Sequence, residues 1–99
     1  IAKLKEMFDV YIKTVFDVNR GLCCAGCDRH FECEQVLLKQ GSKQNDLWGG
    51  GIDLETKVVD FNSMINIRPS QNNRSNEIQD VTIRDEYEQL TKQFFKEIL

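Results

Sequence analysis

The sequence predicts one α+β domain over residues 1–99: a small mixed or antiparallel sheet of about four strands packed on helices, in the order α-β-β-α-β-β-α. Three observations predict it. The run Val10–Val18 is rich in β-branched and aromatic residues. Residues 58–68 alternate between apolar and polar side chains. Ile83, Tyr87, Leu90, Phe94 and Ile98 recur at steps of three and four, the spacing of an amphipathic helix.

Taken in order, Leu4, Met7 and Phe8 fall at helical spacing and predict a short helix over Ala2–Phe8. The strand Val10–Val18 follows, with Ile12, Thr14, Phe16 and Val18 on one face. Asn19-Arg20-Gly21 is a turn signal, and Leu22–Asp28 reads as the return strand of a hairpin. Phe31–Gln40 is expected to be a helix with Phe31, Gln35, Val36, Leu37 and Leu38 supplying its buried stripe, ended by Gly41. Leu47-Trp48 opens a third strand that runs into Gly49-Gly50-Gly51, where another chain segment can approach closely.

Val58–Arg68 is the clearest strand by pattern. Val59, Phe61, Ser63, Ile65 and Ile67 share the expected core face, while Asp60, Asn62, Asn66 and Arg68 point outward. Pro69 ends it, because proline has no N–H for the ladder. Ser70–Gln79 is a polar loop, and Asp80 or Thr82 caps the last helix, whose outer face carries the pair Glu88 and Lys92.

Composition limits the functional classes. Hydrophobic residues are 40% and charged residues 29% of the chain, a globular balance. No apolar run approaches the ~20 residues of a membrane span. Lys3, Lys5 and Glu6 interrupt the N-terminus, so no signal peptide is read there, and the start at Ile1 leaves room for native residues ahead of it. A net charge of −3 argues against nucleic-acid binding, which rests on many Lys and Arg contacts to phosphate. The four cysteines crowd between Cys23 and Cys33, where a disulfide framework would spread them; reduced thiols and a cytoplasmic location are expected.

Several blocks carry a resemblance. They are Met7-Phe8, Phe16-Asp17-Val18, Gly26, His30, Glu34 and Leu37-Leu38, then Gly41-Ser42-Lys43-Gln44 with Asp46-Leu47-Trp48-Gly49, and finally Ile65-Asn66-Ile67-Arg68-Pro69-Ser70-Gln71 with Asn73-Arg74-Ser75. Together they resemble a small family of prokaryotic proteins of unknown function. The resemblance raises the weight of these residues without naming their chemistry. It does not extend to Cys23, Cys24, Cys27 or Cys33, where the relatives carry mostly small or aliphatic residues.

Four constellations are candidate sites. Cys24, Cys27, His30 and Cys33 form C-x2-C-x2-H-x2-C, all zinc-ligand types, but the second half is too tight for the chain to fold back over a metal. The preferred reading is packed thiols and no cofactor, with zinc as the alternative. His30 beside Asp28, Glu32 and Glu34 has the makings of an acid–base group; a structural role in a loop or cap competes with it. Arg68, Ser70, Gln71, Asn73 and Arg74 follow a strand end and offer guanidinium, hydroxyl and amide donors to an anion, against a loop that braces its own backbone. Trp48 beside them is either a ligand platform or core. The block Gly41–Gln44 lacks the spaced glycine and Gly-Lys pair of a phosphate loop.

Two classes of function are consistent with these residues. One is a cytoplasmic binding or assembly module whose polar surface is Asn66, Arg68, Ser70, Gln71, Asn73, Arg74 and Trp48. It would take a small anionic ligand or a protein partner, with dimerisation through an open sheet edge as a further mode. The other is a small hydrolase or transferase on an anionic substrate, with His30 as the acid–base group, Glu32 assisting and Arg68 holding the anion.

Overall fold

The computed structural model describes residues 11–96. The expected helix Ala2–Phe8, Val10 and Ile98 of the last helix lie outside them. Within them the expected α+β architecture is present. Strands β1 (Tyr11–Asp17), β2 (Leu22–Ala25), β3 (Leu47–Asp53) and β4 (Val59–Asp60) form one antiparallel sheet in the order β2-β1-β3-β4. Helix α1 (His30–Lys39) covers one face and α2 (Val81–Phe94) the other.

β1 is central, and its alternation explains the layering. Ile12 and Phe16 pack on the α2 side with Trp48, Ile52, Ile78, Tyr87 and Phe95. Val15 packs on the α1 side with Cys33, Leu37 and Leu47. Both faces of β1 are therefore apolar or internally hydrogen-bonded, as a strand covered on two sides requires. Asp17 ends it as a buried carboxylate. Its oxygens accept from the backbone N–H groups of Asn19 and Arg20 in the turn and from the Ser42 hydroxyl at 2.6 Å.

The two helices form for the expected reasons, with one change of phase. Asp80 caps α2 by accepting from Thr82 and Ile83 N–H, and Glu88 pairs with Lys92 at 3.2 Å. Tyr87 and Thr91 are fully buried, and Phe95 rather than Phe94 enters the core. In α1 the buried side chains are Cys33, Glu34 and Leu37, while Phe31 and Val36 are exposed. The expected stripe was rotated by about one residue, because five apolar or neutral positions crowd this short helix and periodicity alone does not choose among them. Gly41 adopts φ +97° and ends α1 as anticipated.

The three glycines stay in β3 rather than weakening it. A Cβ on Gly49 would stand 2.7 Å from the Ser63 side chain, and one on Gly50 would stand 2.9 Å from the Tyr87 hydroxyl and nearer still to the Asp60 carbonyl. These positions are glycine because neighbours press on the strand from both sides.

The expected strand Val58–Arg68 is corrected. Only Val59 and Asp60 pair with β3, against Ile52 and Gly51. Beyond Phe61 the chain leaves the ladder and makes two single 3₁₀ turns, Met64–Asn66 and Pro69–Gln71. Burial is also reversed at its far end, whereas Ser63 is buried as expected. Asn66 and Arg68 point inward, while Met64 and Ile67 are exposed. The physical reason lies on the free edge of β3. Gly49 donates its N–H to Asn66 Oδ1 at 2.8 Å and accepts from Asn66 Nδ2 at 2.9 Å. One side-chain amide thus takes the place of a neighbouring strand. Two positions further up the same edge, the Leu47 carbonyl accepts from Arg68 Nη2.

Candidate functional site

The polar segment 66–79 is built around amide side chains that serve backbone. Asn66 Nδ2 also donates to the carbonyls of Phe61 and Asn76. Asn73, 2% exposed, donates from Nδ2 to the carbonyls of Asn66, Ser75 and Glu77, and its Oδ1 accepts from Gln79 N–H. Asn72 makes the turn, with left-handed φ 60°. Asparagine suits such places because one short side chain carries both a donor and an acceptor.

Arg68 is committed inward. Nη1 donates to the Gln44 carbonyl and to Gln71 Oε1, Nη2 to the Leu47 carbonyl, and the guanidinium stacks 4.0 Å above the Trp48 ring. Burial pushes its pKa down, while the carboxylates of Glu34 and Asp46 push it up. Gln71 Nε2 completes the clamp by donating to the Asn45 carbonyl. The two motif blocks Gly41–Gly49 and Ile65–Ser75 are therefore the two halves of one contact. Ser70 and Arg74 are exposed on its outer side. The guanidinium groups of Arg68 and Arg74 are thus not equivalent donors toward one ligand.

Trp48 is almost wholly buried among Phe16, Ile78 and Tyr87. Among the described residues its indole Nε1–H has no hydrogen-bond partner, an arrangement rare for a buried donor. The ring also walls a cavity of about 220 Å³, completed by Gln71, Asn72, Asn73, Gln79, Asp80 and Ile83. Asp80, which offers Oδ1 to the helix cap, also lines this cavity.

His30 belongs to a different place. It is the first residue of α1, and its Nε2 lies 2.6 Å from the Gly50 carbonyl. A carbonyl only accepts, so Nε2 carries the proton and Nδ1 keeps its lone pair. Burial pushes the imidazole pKa below its ordinary value; the bond to Gly50 and the charge of Asp60 oppose that, and Lys13 adds to it. Glu32 is not its partner, since that carboxylate accepts from Arg29 N–H at 2.9 Å as a helix capping box. His30 lines a cavity of about 330 Å³ with Lys13, Arg29, Phe31, Ser63, Met64 and Ile65. Arg68 lines neither cavity, so the pair expected for acid–base chemistry on an anion does not share a substrate space.

Among the described residues, no three His, Cys, Asp or Glu side chains are placed to hold a metal ion. Cys24, Cys27 and Cys33 gather beneath α1, while the His30 ring is engaged at Gly50, so the quartet of the alternative zinc reading is not brought together. The hollow between β4 and α2, about 640 Å³, is lined by Val58, Val59 and long exposed side chains, with Lys92 paired to Glu88. None of the described helices is long and apolar enough to cross a membrane. The Asn66, Asn73 and Trp48 roles could be foreseen only in part, because a polar residue that serves backbone looks the same in sequence as one that serves a ligand.

The fold and these contacts define a small α+β protein whose polar motif first stitches two loops to a sheet edge. The chain belongs to DUF5674, a family of proteins of unknown function, which it matches over residues 1–94. Neither the curated proteins nor the solved structures contain a match to it.

Proposed function

We propose that the protein is a binding module of the cytoplasm, and that its ligand site is the cavity walled by Trp48. The observation that carries this reading is that Trp48, whose buried indole N–H has no partner among the described residues, lines this cavity, where an acceptor atom could satisfy it. Asn72 and Asp80 also line it, a residue with an amide and one with a carboxylate. The four unpaired cysteines support a reducing compartment.

The expected ligand charge changes under this reading. Arg68 donates to carbonyls, and a carboxylate stands in the wall, so an anion is disfavoured. The site suits a small neutral group carrying both acceptor and donor, such as a carboxamide or a diol.

Trp48 is the single tryptophan, so a ¹⁵N-labelled sample has one indole N–H resonance. Titration with acetamide and with glycerol is expected to move it saturably, with acetate much weaker, and Asn72→Gly is expected to weaken the response. That variant keeps the left-handed turn while removing the amide. No movement with any of these probes up to about 0.1 M, a limit generous even for fragments of a few atoms, would sink the reading.

A further inference from the structure

The thiols on the other face of the sheet support a separate activity. β2 places Cys24 on the α1 side, and Gly26, at φ +81°, turns the chain so that Cys27 returns to that same side. Cys33, on the first turns of α1, is buried there with Val15, Leu37 and Leu47. Its thiol lies within hydrogen-bonding reach of both Cys24 and Cys27. Cys23 points through the sheet to the α2 side.

We infer that Cys27 and Cys33 form a dithiol site that reduces hydroperoxides, with Cys27 as the attacking sulfur and Cys33 as the resolving one. Geometry distinguishes the two roles. Cys27 is half-exposed and Cys33 is buried beneath it. The Cys33 thiol and backbone N–H stand near the Cys27 sulfur and favour its thiolate. Donors converging at the start of a helix stabilise a thiolate. The Cys33 thiol lowers the Cys27 pKa, against burial and the nearby Glu32 carboxylate, which raise it. Cys33 is raised by donating that same bond. Burial pushes Cys23 up to about 12, which makes it an internal comparator.

The chemistry balances in two steps. The Cys27 thiolate attacks a peroxide oxygen; an S–O bond forms, the O–O bond breaks, and the alcohol or water leaves. The sulfur is oxidised by two electrons to a sulfenic acid and the peroxide is reduced. Cys33 sulfur then attacks Cys27 sulfur; an S–S bond forms, the S–O bond breaks, and the Cys33 proton leaves with the hydroxide as water. A dithiol reductant reverses the bridge.

The test treats the full chain with one equivalent of hydrogen peroxide, followed by peptide mapping. The expected product is an intramolecular Cys27–Cys33 bridge, seen as a loss of two hydrogens that dithiothreitol restores. In Cys33→Ala the expected product is a sulfenic acid at Cys27, trapped by dimedone. In Cys27→Ser neither forms. Iodoacetamide at about pH 7.5 is expected to label Cys27 at least about tenfold faster than Cys23. Should Cys33→Ala fail to fold, the labelling order and the bridge map of the unaltered chain decide. A bridge without Cys27, a bridge from Cys27 to Cys24, cross-linking between chains, or equal labelling of Cys23 and Cys27 overturns the proposal.

Discussion

Asn66→Ala is expected to remove a large part of the protein's stability, although the residue touches neither helix core. The side chain is fully buried and makes four hydrogen bonds, to Gly49 N–H and to the carbonyls of Gly49, Phe61 and Asn76. Two of these partners keep a second bond: the Phe61 carbonyl accepts from Ile78 N–H and the Asn76 carbonyl from Ser63 N–H. Gly49 has no such reserve on this edge, because β4 pairs only with Gly51 and Ile52. Truncation therefore orphans one buried N–H and one buried carbonyl, each costing about 1–3 kcal/mol. Taken near the middle of that range, the two together cost about 3–5 kcal/mol, against a total of about 5–15 kcal/mol for a domain. With an m-value of about 1.5 kcal/mol per molar urea, the midpoint should fall by about 2–3 M with little change in m. Asn66→Asp provides the isosteric control. It keeps the acceptor for Gly49 N–H but turns an oxygen toward three carbonyls, so at neutral pH it should be at least as unstable as the alanine variant. It should recover partly toward about pH 4, where a protonated carboxyl can donate. A midpoint shift under about 0.5 M for either variant at neutral pH would refute the idea that this amide replaces a strand.

Two further outcomes follow from the same contacts. Gly50→Ala should cost about 3 kcal/mol by overpacking against Asp60 and Tyr87. Gly21→Ala, with open space around it and φ +68°, should cost only about 1 kcal/mol of backbone strain; thermal melts giving the reverse ranking would contradict the packing explanation. His30, the single histidine, should titrate below 6.5 and show the Nε2–H tautomer by ¹⁵N NMR. Its folded pKa lies below its unfolded one, so its contribution to stability is present above the unfolded value and lost as pH falls through the folded value. A midpoint at or above 6.5 would count against burial as the dominant influence on this ring.

Much of the fold was legible in the sequence because it depends on local chemistry. The turn at Asn19–Gly21, the cap at Asp80, the stop at Gly41 and the hairpin β1–β2 each follow from residues adjacent in the chain. The crowding of the cysteines was visible too. What the tertiary structure decided was direction. Alternation along 58–68 assigned the apolar side chains to the core, yet the structure buries Asn66 and Arg68 and exposes Ile67. Hydrophobicity ranks side chains by transfer from water, but a sheet edge in the interior must be satisfied by donors and acceptors. Whether a polar residue faces solvent, a ligand or an unpaired strand depends on partners brought near by the fold, here Leu47 and Gly49 from 17 to 21 positions away. The same separation in sequence hid the division of the candidate sites. His30 and Arg68 belong to different surroundings, and Cys24, Cys27 and Cys33 meet only because Gly26 turns the chain beneath α1.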